Sequence, residues 1–446
     1  MEQPMSANQG QSETRSFLFL QGPTSGVFRD LGRALAARGH KVLKVNFCPG
    51  DWLFWRGKDT QMYRGSLAGW PDHLRALIRE RGVTDILYFA DRFPYHKAAQ
   101  RVAHEEGVRS VSMEYGYLRP DWLILEEGGQ STYSHFPKDP AKIEAVAETL
   151  EPVDQAQIYD IPSLDEAVRE ASFHLSNAFF GWLTPRYRPD RYYPVLVEFP
   201  AYVPRLLKRR RNAPKADALV RHFEATAEVP RFLVPLQMQN DYQLRDNAPK
   251  GFQTEFIRRV MASFRDHAPE GTELIFKIHP MDNGLERWER VVPRLAAEHG
   301  LAERVHFLDG GFLPDIFSIV AGCVVINSTT GLIALRRNVP TKPLGVAVYD
   351  IEGLTHQGDL DGFWTDPQPP KPGMLNALVR AMAYGIHVRG SVYGDEGRAA
   401  FIRNAIERLE QPRINQFGLY EPRPPRVDKA VSLGIAVDWP VGKIAS

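Results

Sequence analysis

Arg231-Phe232-Leu233-Val234-Pro235-Leu236-Gln237-Met238-Gln239-Asn240-Asp241, read with Glu273-Leu274-Ile275-Phe276-Lys277-Ile278-His279-Pro280, decides how this chain folds. Each stretch is a short apolar run that stops in polar residues, as a buried strand does at its end. Between them Phe252, Phe256, Ile257, Val260 and Phe264 recur at helical spacing. Strand–helix–strand puts both strand ends on one edge of a parallel sheet, the edge where open α/β sheets bind ligands. Asp241, amides such as Gln237, Lys277 and His279 are therefore expected to converge in an active site.

The same rhythm continues toward the C-terminus. Trp288, Val291, Val292 and Leu295 mark a helix, residues 304–308 a strand and residues 313–320 a short helix. Cys323 to Asn327 is a buried strand running into Ser328-Thr329-Thr330-Gly331 and a helix from Leu332 to Arg336. Small hydroxyl residues at a helix start, with free N–H groups and a favourable dipole, suit an anion; they also serve as plain N-caps. A place on the sheet edge beside His279 favours phosphate. Helices over 374–386 and 395–409 precede a proline-rich tail.

Toward the N-terminus, residues 16–20 form a strand and Gln21-Gly22-Pro23-Thr24-Ser25-Gly26 a turn. Phe28, Leu31, Leu35 and Ala36 share a helical face, Gly39 ends that helix, and residues 41–47 form a second strand. This β-turn-α-β unit lacks the Gly-x-Gly-x-x-Gly dinucleotide fingerprint. Asp51 to Trp70 reads as an aromatic-rich loop, a pattern commoner in local packing than in sugar platforms. A helix over 74–81, a strand over 85–90 ending in Asp91-Arg92, and a helix over 96–106 follow. The strand over 109–113 ends in Glu114-Tyr115-Gly116-Tyr117-Leu118-Arg119-Pro120, placing a second carboxylate at a strand end. After a polar helical stretch over 138–176, aromatics alternate with arginines from Phe179 to Tyr193, and Lys208-Arg209-Arg210-Arg211 closes the segment. That composition suits a surface facing anionic lipid headgroups, or a solvated linker.

With 446 residues, net charge +1, 43% hydrophobic and 24% charged residues, the chain can build two full cores. The balanced charge argues against a general nucleic-acid binder. Cys48 and Cys323 stand in unrelated contexts, which excludes a disulfide framework and a thiolate metal site. The first residues are polar with no signal core, and no run is apolar enough to span a bilayer, so a cytoplasmic protein with peripheral membrane contact is expected. The expected layout is a disordered lead-in over 1–15, a Rossmann-like domain over 16–212, a second over 213–390, and a helix and tail over 391–446 packing back across both. The fold class is α/β, two doubly wound domains facing a central cleft.

That architecture resembles the GT-B glycosyltransferases, and particular words narrow the likeness. Gln21-Gly22-Pro23, Glu114 to Pro120, Pro235 to Asp241, His279-Pro280 and Ser328-Thr329-Thr330-Gly331 occur in the order seen in the capsule polysaccharide biosynthesis/export family of Gram-negative bacteria. Within that family the chain resembles in particular the KpsS-type branch. The resemblance implies a β-Kdo transferase moving 3-deoxy-D-manno-octulosonic acid (Kdo) from CMP-Kdo to a lysophosphatidylglycerol-type lipid, starting the capsule's poly-Kdo linker. It implies Asp241 as nucleophile in a Gln-x-x-x-Asp word headed by Gln237. It implies His279, Ser328 and Thr329, beside Thr330, as CMP-binding residues in the second domain. Gln21, Gly22 and Pro23 then belong to the acceptor side of the first domain. Glu114 matches less tightly, since Tyr115 stands where a related branch has an acidic residue.

CMP leaves as a stabilised anion, so cations and N–H dipoles at its phosphate suffice. Lys277, His279 and the helix start at Ser328 could supply them. No acidic cluster with metal-ligand spacing stands near these words, so metal-independent transfer without a cofactor is expected. Retention fits two displacements through Asp241, with Glu114 deprotonating the acceptor hydroxyl. Kdo carries a carboxylate that an arginine should meet; Arg245, Arg119 and Arg92 are candidates in that order. The expected partners are CMP-Kdo, an anionic glycerophospholipid and the inner-membrane surface, with docking of a second capsule Kdo transferase left open. Rival readings are a transferase for another CMP- or CDP-activated donor (polyol phosphate or sialic acid), and a non-catalytic capsule export scaffold.

Overall fold

The computed structural model describes residues 14–160, 163–249 and 253–438. The lead-in up to residue 13, Phe252 and the last residues of the tail lie outside the described residues. The first six strands are β1 (Ser16–Phe19), β2 (Lys41–Asn46), β3 (Thr60–Met62), β4 (Asp85–Phe89), β5 (Arg109–Tyr115) and β6 (Trp122–Glu127). The next five are β7 (Arg231–Pro235), β8 (Glu273–Lys277), β9 (Val305–Leu308), β10 (Gly322–Val325) and β11 (Thr341–Pro343). A last strand, β12 (His387–Arg389), returns to the first sheet.

The first sheet has seven strands in the order β12-β6-β5-β4-β1-β2-β3, and the second has five in the order β11-β10-β7-β8-β9. β1 to β5 pair in parallel and so does the whole second sheet; β6 and β12 are antiparallel additions. Strand order reverses between β1 and β4 and again between β7 and β10, the two points where doubly wound sheets hold ligands. The fold is GT-B-like.

Both faces of each sheet are covered, which is why the parallel strands read as unbroken apolar runs. Phe17 and Phe19 face one layer with Leu31, Leu35, Phe401 and Leu409, while Leu18 and Leu20 face the other with Trp70, Leu74 and Val102. The late helix Asp395–Leu409 is thus core to the first domain. In the second sheet Phe232 and Val234 pack on Val260 and Phe264, and Leu233 and Ile275 on Val220 and Phe223.

Two expected features of the layout differ. The helix Val195–Ala225 runs unbroken through residues 212–213, where composition suggested a domain boundary. Its C-terminal half, through Val220 and Phe223, belongs to the second core, so the change of domain falls inside a helix. The return to the first domain comes at β12, before residue 390, because β12 needs the open edge of β6. The aromatic loop is also more regular than expected, with a helix over Pro49–Phe54 and strand β3.

Candidate active site

Asp241 follows β7 after a tight turn in which its N–H donates to the Met238 carbonyl (3.0 Å). It then caps the short helix Tyr242–Asn247, its Oδ1 accepting the Gln243 N–H at 2.9 Å. A carboxylate is a preferred N-cap, so local chemistry alone fixes its backbone. Burial pushes the Asp241 carboxyl upward, against the Gln243 N–H and the charges of Arg119 and Arg245, while Asp190 adds to the rise.

Glu114 is the penultimate residue of β5. One oxygen accepts its neighbour Tyr115 N–H at 2.8 Å, and the other accepts the hydroxyl of Tyr242 from the opposite domain. Burial raises the Glu114 carboxyl to about 7; the Tyr242 hydroxyl and the Tyr115 N–H pull down, and the Asp241 charge pushes up. The bond is one of a seam. Ser131 donates to Gln243 (2.8 Å), Thr132 to Asn247 (2.6 Å), Lys97 pairs with Asp246, and Gln243 donates to the Tyr242 hydroxyl (3.1 Å). The C-terminal edges of the two sheets therefore meet at helix Tyr242–Asn247, with the two carboxylates beside it.

Arg119 identifies the space they share. Its Nε donates to the Gly116 carbonyl (3.3 Å) and its guanidinium lies 5.4 Å from the Tyr115 ring centre. Its charge acts on Glu114, on Asp241 and on His279. His279 follows β8, and its Nδ1 accepts the Met281 N–H at 3.1 Å, which leaves the ring proton on Nε2. Burial, with Lys277 and Arg119 nearby, lowers its pKa to about 4. At neutral pH His279 is therefore a neutral hydrogen-bond donor through Nε2.

The remaining predicted residues divide. Lys277, at the end of β8, is buried and lowered to about 8 by that burial, with Asp309 raising it and Arg209 and Arg205 lowering it. Gln237 spans the strand reversal: its Nε2 donates to Asn327 Oδ1 (2.9 Å), and its backbone exchanges bonds of 2.7 and 2.6 Å with Gln253. Gln237 thus ties the end of β7 to the end of β10 at the sheet's switch point. Ser328 Oγ accepts the Thr330 N–H (3.1 Å), a local turn bond two residues on; the N-cap of Thr330–Arg336 is Thr329, whose side chain makes no capping bond. A Cβ on Gly331 would press on the Tyr349 ring (2.8 Å from Cζ), whose hydroxyl donates to the Ser328 carbonyl, so a larger residue would have to displace that ring. Ser328, Thr329 and Thr330 are half-buried and close the C-terminal end of β10.

The arginine order changes. Arg245 donates to Asp190 at 2.5 Å. Arg92 is buried, donates to Gln100 (2.8 Å) and Asp438 (3.3 Å), and lies 4.2 Å from the Tyr133 ring centre. Among the described residues no carboxylate forms an ion pair with Arg119, so it replaces Arg245 as the first candidate to meet a substrate carboxylate. In the first domain Gln21 Oε1 accepts the Tyr187 hydroxyl (3.0 Å), and a Cβ on Gly22 would meet Phe28 at 2.8 Å. With Pro23 buried, this word shapes the loop after β1. Tyr242, Gln243, Ser131 and Asp190 are site residues that sequence spacing does not reveal. Among the described residues no group of three or more His, Cys, Asp or Glu could hold a metal ion.

Comparison with known proteins gives a consistent family. The sequence model described as capsule polysaccharide biosynthesis protein matches residues 84–393. The chain is 32% identical over 352 residues to the Escherichia coli capsule polysaccharide export protein KpsS, covering 78% of this chain and 90% of that one. It is 31% identical over 390 residues to the capsule polysaccharide modification protein LipB of Neisseria meningitidis serogroup B, covering 85% and 91%. Among solved structures, the KpsC β-Kdo 2,7 transferase of Thermosulfurimonas dismutans aligns over 87% of this chain and 99% of its own, at 14% identity and TM-score 0.43.

Proposed function

The chain belongs to the capsule polysaccharide biosynthesis family, and from that premise we propose that it is a retaining β-Kdo transferase. Its donor is CMP-Kdo and its acceptor a (lyso)phosphatidylglycerol-type lipid at the cytoplasmic face of the inner membrane. The observation that carries this reading is the bond between Tyr242 and Glu114, which sets two carboxylates from different domains beside Arg119, a guanidinium that forms no ion pair among the described residues.

In the first displacement an Asp241 oxygen attacks the anomeric carbon, the bond from that carbon to the phosphate oxygen breaks, and CMP leaves with the electron pair. His279 Nε2–H and the Lys277 ammonium stabilise the departing phosphate. In the second, the acceptor hydroxyl attacks the same carbon, the bond to Asp241 breaks, and Glu114 takes the proton. Two inversions give net retention. A base with its pKa near 7 is ionised for about half the molecules at neutral pH, which suits the task. Arg119 holds the Kdo carboxylate. The transfer needs no metal ion in this mechanism, and chelator should leave turnover unchanged.

The test is incubation with CMP-Kdo and a fluorescent lysophosphatidylglycerol, followed by mass spectrometry of the lipid, with CDP-glycerol and CMP-sialic acid as competing donors. A lipid carrying Kdo supports the proposal. Product only from another donor moves the protein to that chemistry, and none from any donor favours a scaffold.

A further inference from the structure

The helix Ser163–Phe180, the turn Gly181–Leu183 and the first half of Val195–Ala225 present an unpartnered apolar surface. Leu164, Val168, Leu175 and Phe179 are exposed and recur at spacings of four and seven residues, so they share one helical stripe. Trp182 extends it at 73% exposure. On the second helix Leu196, at 86% exposure, is joined by Val203 and Leu207 on the same spacings. Soluble surfaces rarely leave so many large apolar side chains together in water.

The polar faces of these helices turn toward the protein. Glu170 accepts the Thr24 hydroxyl (3.0 Å) and Asn177 the Gly50 N–H (2.8 Å). Glu198 accepts from Asn240 (2.6 Å) and Asn283 (3.3 Å), and Arg205 pairs with Asp309 at 2.7 Å. Asp190, between the helices, pairs with Arg245. Glu198 and Asp190 thus pair inward and Glu170 bonds both inward and to His174, while Asp165 is matched by Arg169 on its own helix (2.7 Å). Arg186 and Arg188, in the segment between the two helices, and Arg210 and Arg211, one turn beyond Leu207, are exposed. Apolar stripes bordered by cations match a bilayer containing anionic lipid, in which rings and aliphatic chains enter the interface and basic heads meet phosphates. A second copy fits less well, because a twofold contact would bring the same cations together. No helix among the described residues is long and apolar enough to cross a membrane, which accords with helices lying in the interface plane.

We propose that the outer face of residues 163–211 is a bilayer dock. Its inner face is a wall of the cleft: Glu198 holds Asn240, the neighbour of Asp241, and Asp190 holds Arg245. Docking would therefore seat the mouth of the site on the headgroup layer. Only the delivery of acceptor from that layer rests on the transferase reading; the dock itself rests on the surface.

Flotation of the full chain with phosphatidylethanolamine–phosphatidylglycerol vesicles, against phosphatidylcholine vesicles, tests it. The wild type should float with the anionic vesicles, and Phe179→Ser/Trp182→Ser should lower that partition by ~10-fold or more. Arg210→Glu/Arg211→Glu should weaken it at low salt, with the difference shrinking as salt rises. Circular dichroism checks that both variants fold. Transfer to a water-soluble short-chain acceptor should survive in both, while transfer to acceptor embedded in vesicles falls. If neither acceptor is used, the transferase reading fails and flotation still decides the dock. Absence of flotation by the wild type, or equal flotation by the variants, overturns it. So does a dimer that the same substitutions dissolve without any vesicle binding.

Discussion

Replacing Tyr242 by Phe removes one hydroxyl and leaves the ring packed against Phe93. That hydroxyl donates to Glu114, and the bond favours the ionised carboxylate. A hydrogen bond to a charged group contributes about 1.5–3 kcal/mol, and one pKa unit corresponds to about 1.4 kcal/mol. Loss of the bond should therefore move Glu114 upward from about 7 by roughly 1–2 units. As the proposed base, Glu114 must be ionised to take the acceptor proton, so activity is expected to rise with pH through this pKa. At pH 7 the ionised fraction falls from about one half to between about 1 and 10%, a loss of ~5- to 50-fold in transfer to acceptor. The assay is the pH dependence of kcat with saturating CMP-Kdo and acceptor. The acidic limb of Tyr242→Phe should shift to higher pH and meet the wild type near pH 9–10. An unshifted limb, or a deficit that persists at high pH, would remove Glu114 from the role of base.

Three further substitutions test separate parts. His279→Ala should weaken CMP binding by ~10- to 100-fold through loss of a donor to phosphate. Because the free imidazole has a pKa of about 4, that loss should be flat from pH 7 to 8 in calorimetry; a difference that grows between those values would contradict a neutral donor. Arg119→Lys should lower transfer by ~10-fold or more while CMP alone binds nearly as before, since a lysine cannot grip the Kdo carboxylate in two places. Equal turnover would release Arg119 from the donor. Arg205→Ala should lower stability by about 3 kcal/mol, the low end for a broken buried pair, because Asn212 still donates to Asp309 at 2.8 Å. An unchanged urea midpoint would show that the pair does not hold the two domains' shared helix.

Sequence pattern located the sheet edges for a physical reason. β7, β8 and β10 are buried on both faces, so their apolar runs stop where polar chemistry begins, at Gln237, Lys277 and Asn327. β3 and β12 have three residues each, too few to show a period. The helix Val195–Ala225 contains Pro200, Pro204 and Pro214, each a local break signal, and forms because Ala216, Val220 and Phe223 anchor it on the second sheet. The nucleophile and base candidates were visible as carboxylates beside strand ends, whereas their coupling through Tyr242 joins residues 128 positions apart. Likewise Arg245 stands close to Asp241 in sequence, but a distant loop residue, Asp190, claims it.

The proposed mechanism turns on a covalent Kdo–Asp241 intermediate. The most direct measurement is intact-protein and peptide mass spectrometry of Glu114→Gln incubated with CMP-Kdo, in which the second displacement is slowed and the adduct should accumulate. One Kdo residue should appear on the peptide holding Asp241 and be absent when Asp241→Asn, which keeps the helix cap, is added. Steady transfer to lipid by the Asp241→Asn protein, or an adduct on another residue, would contradict the account.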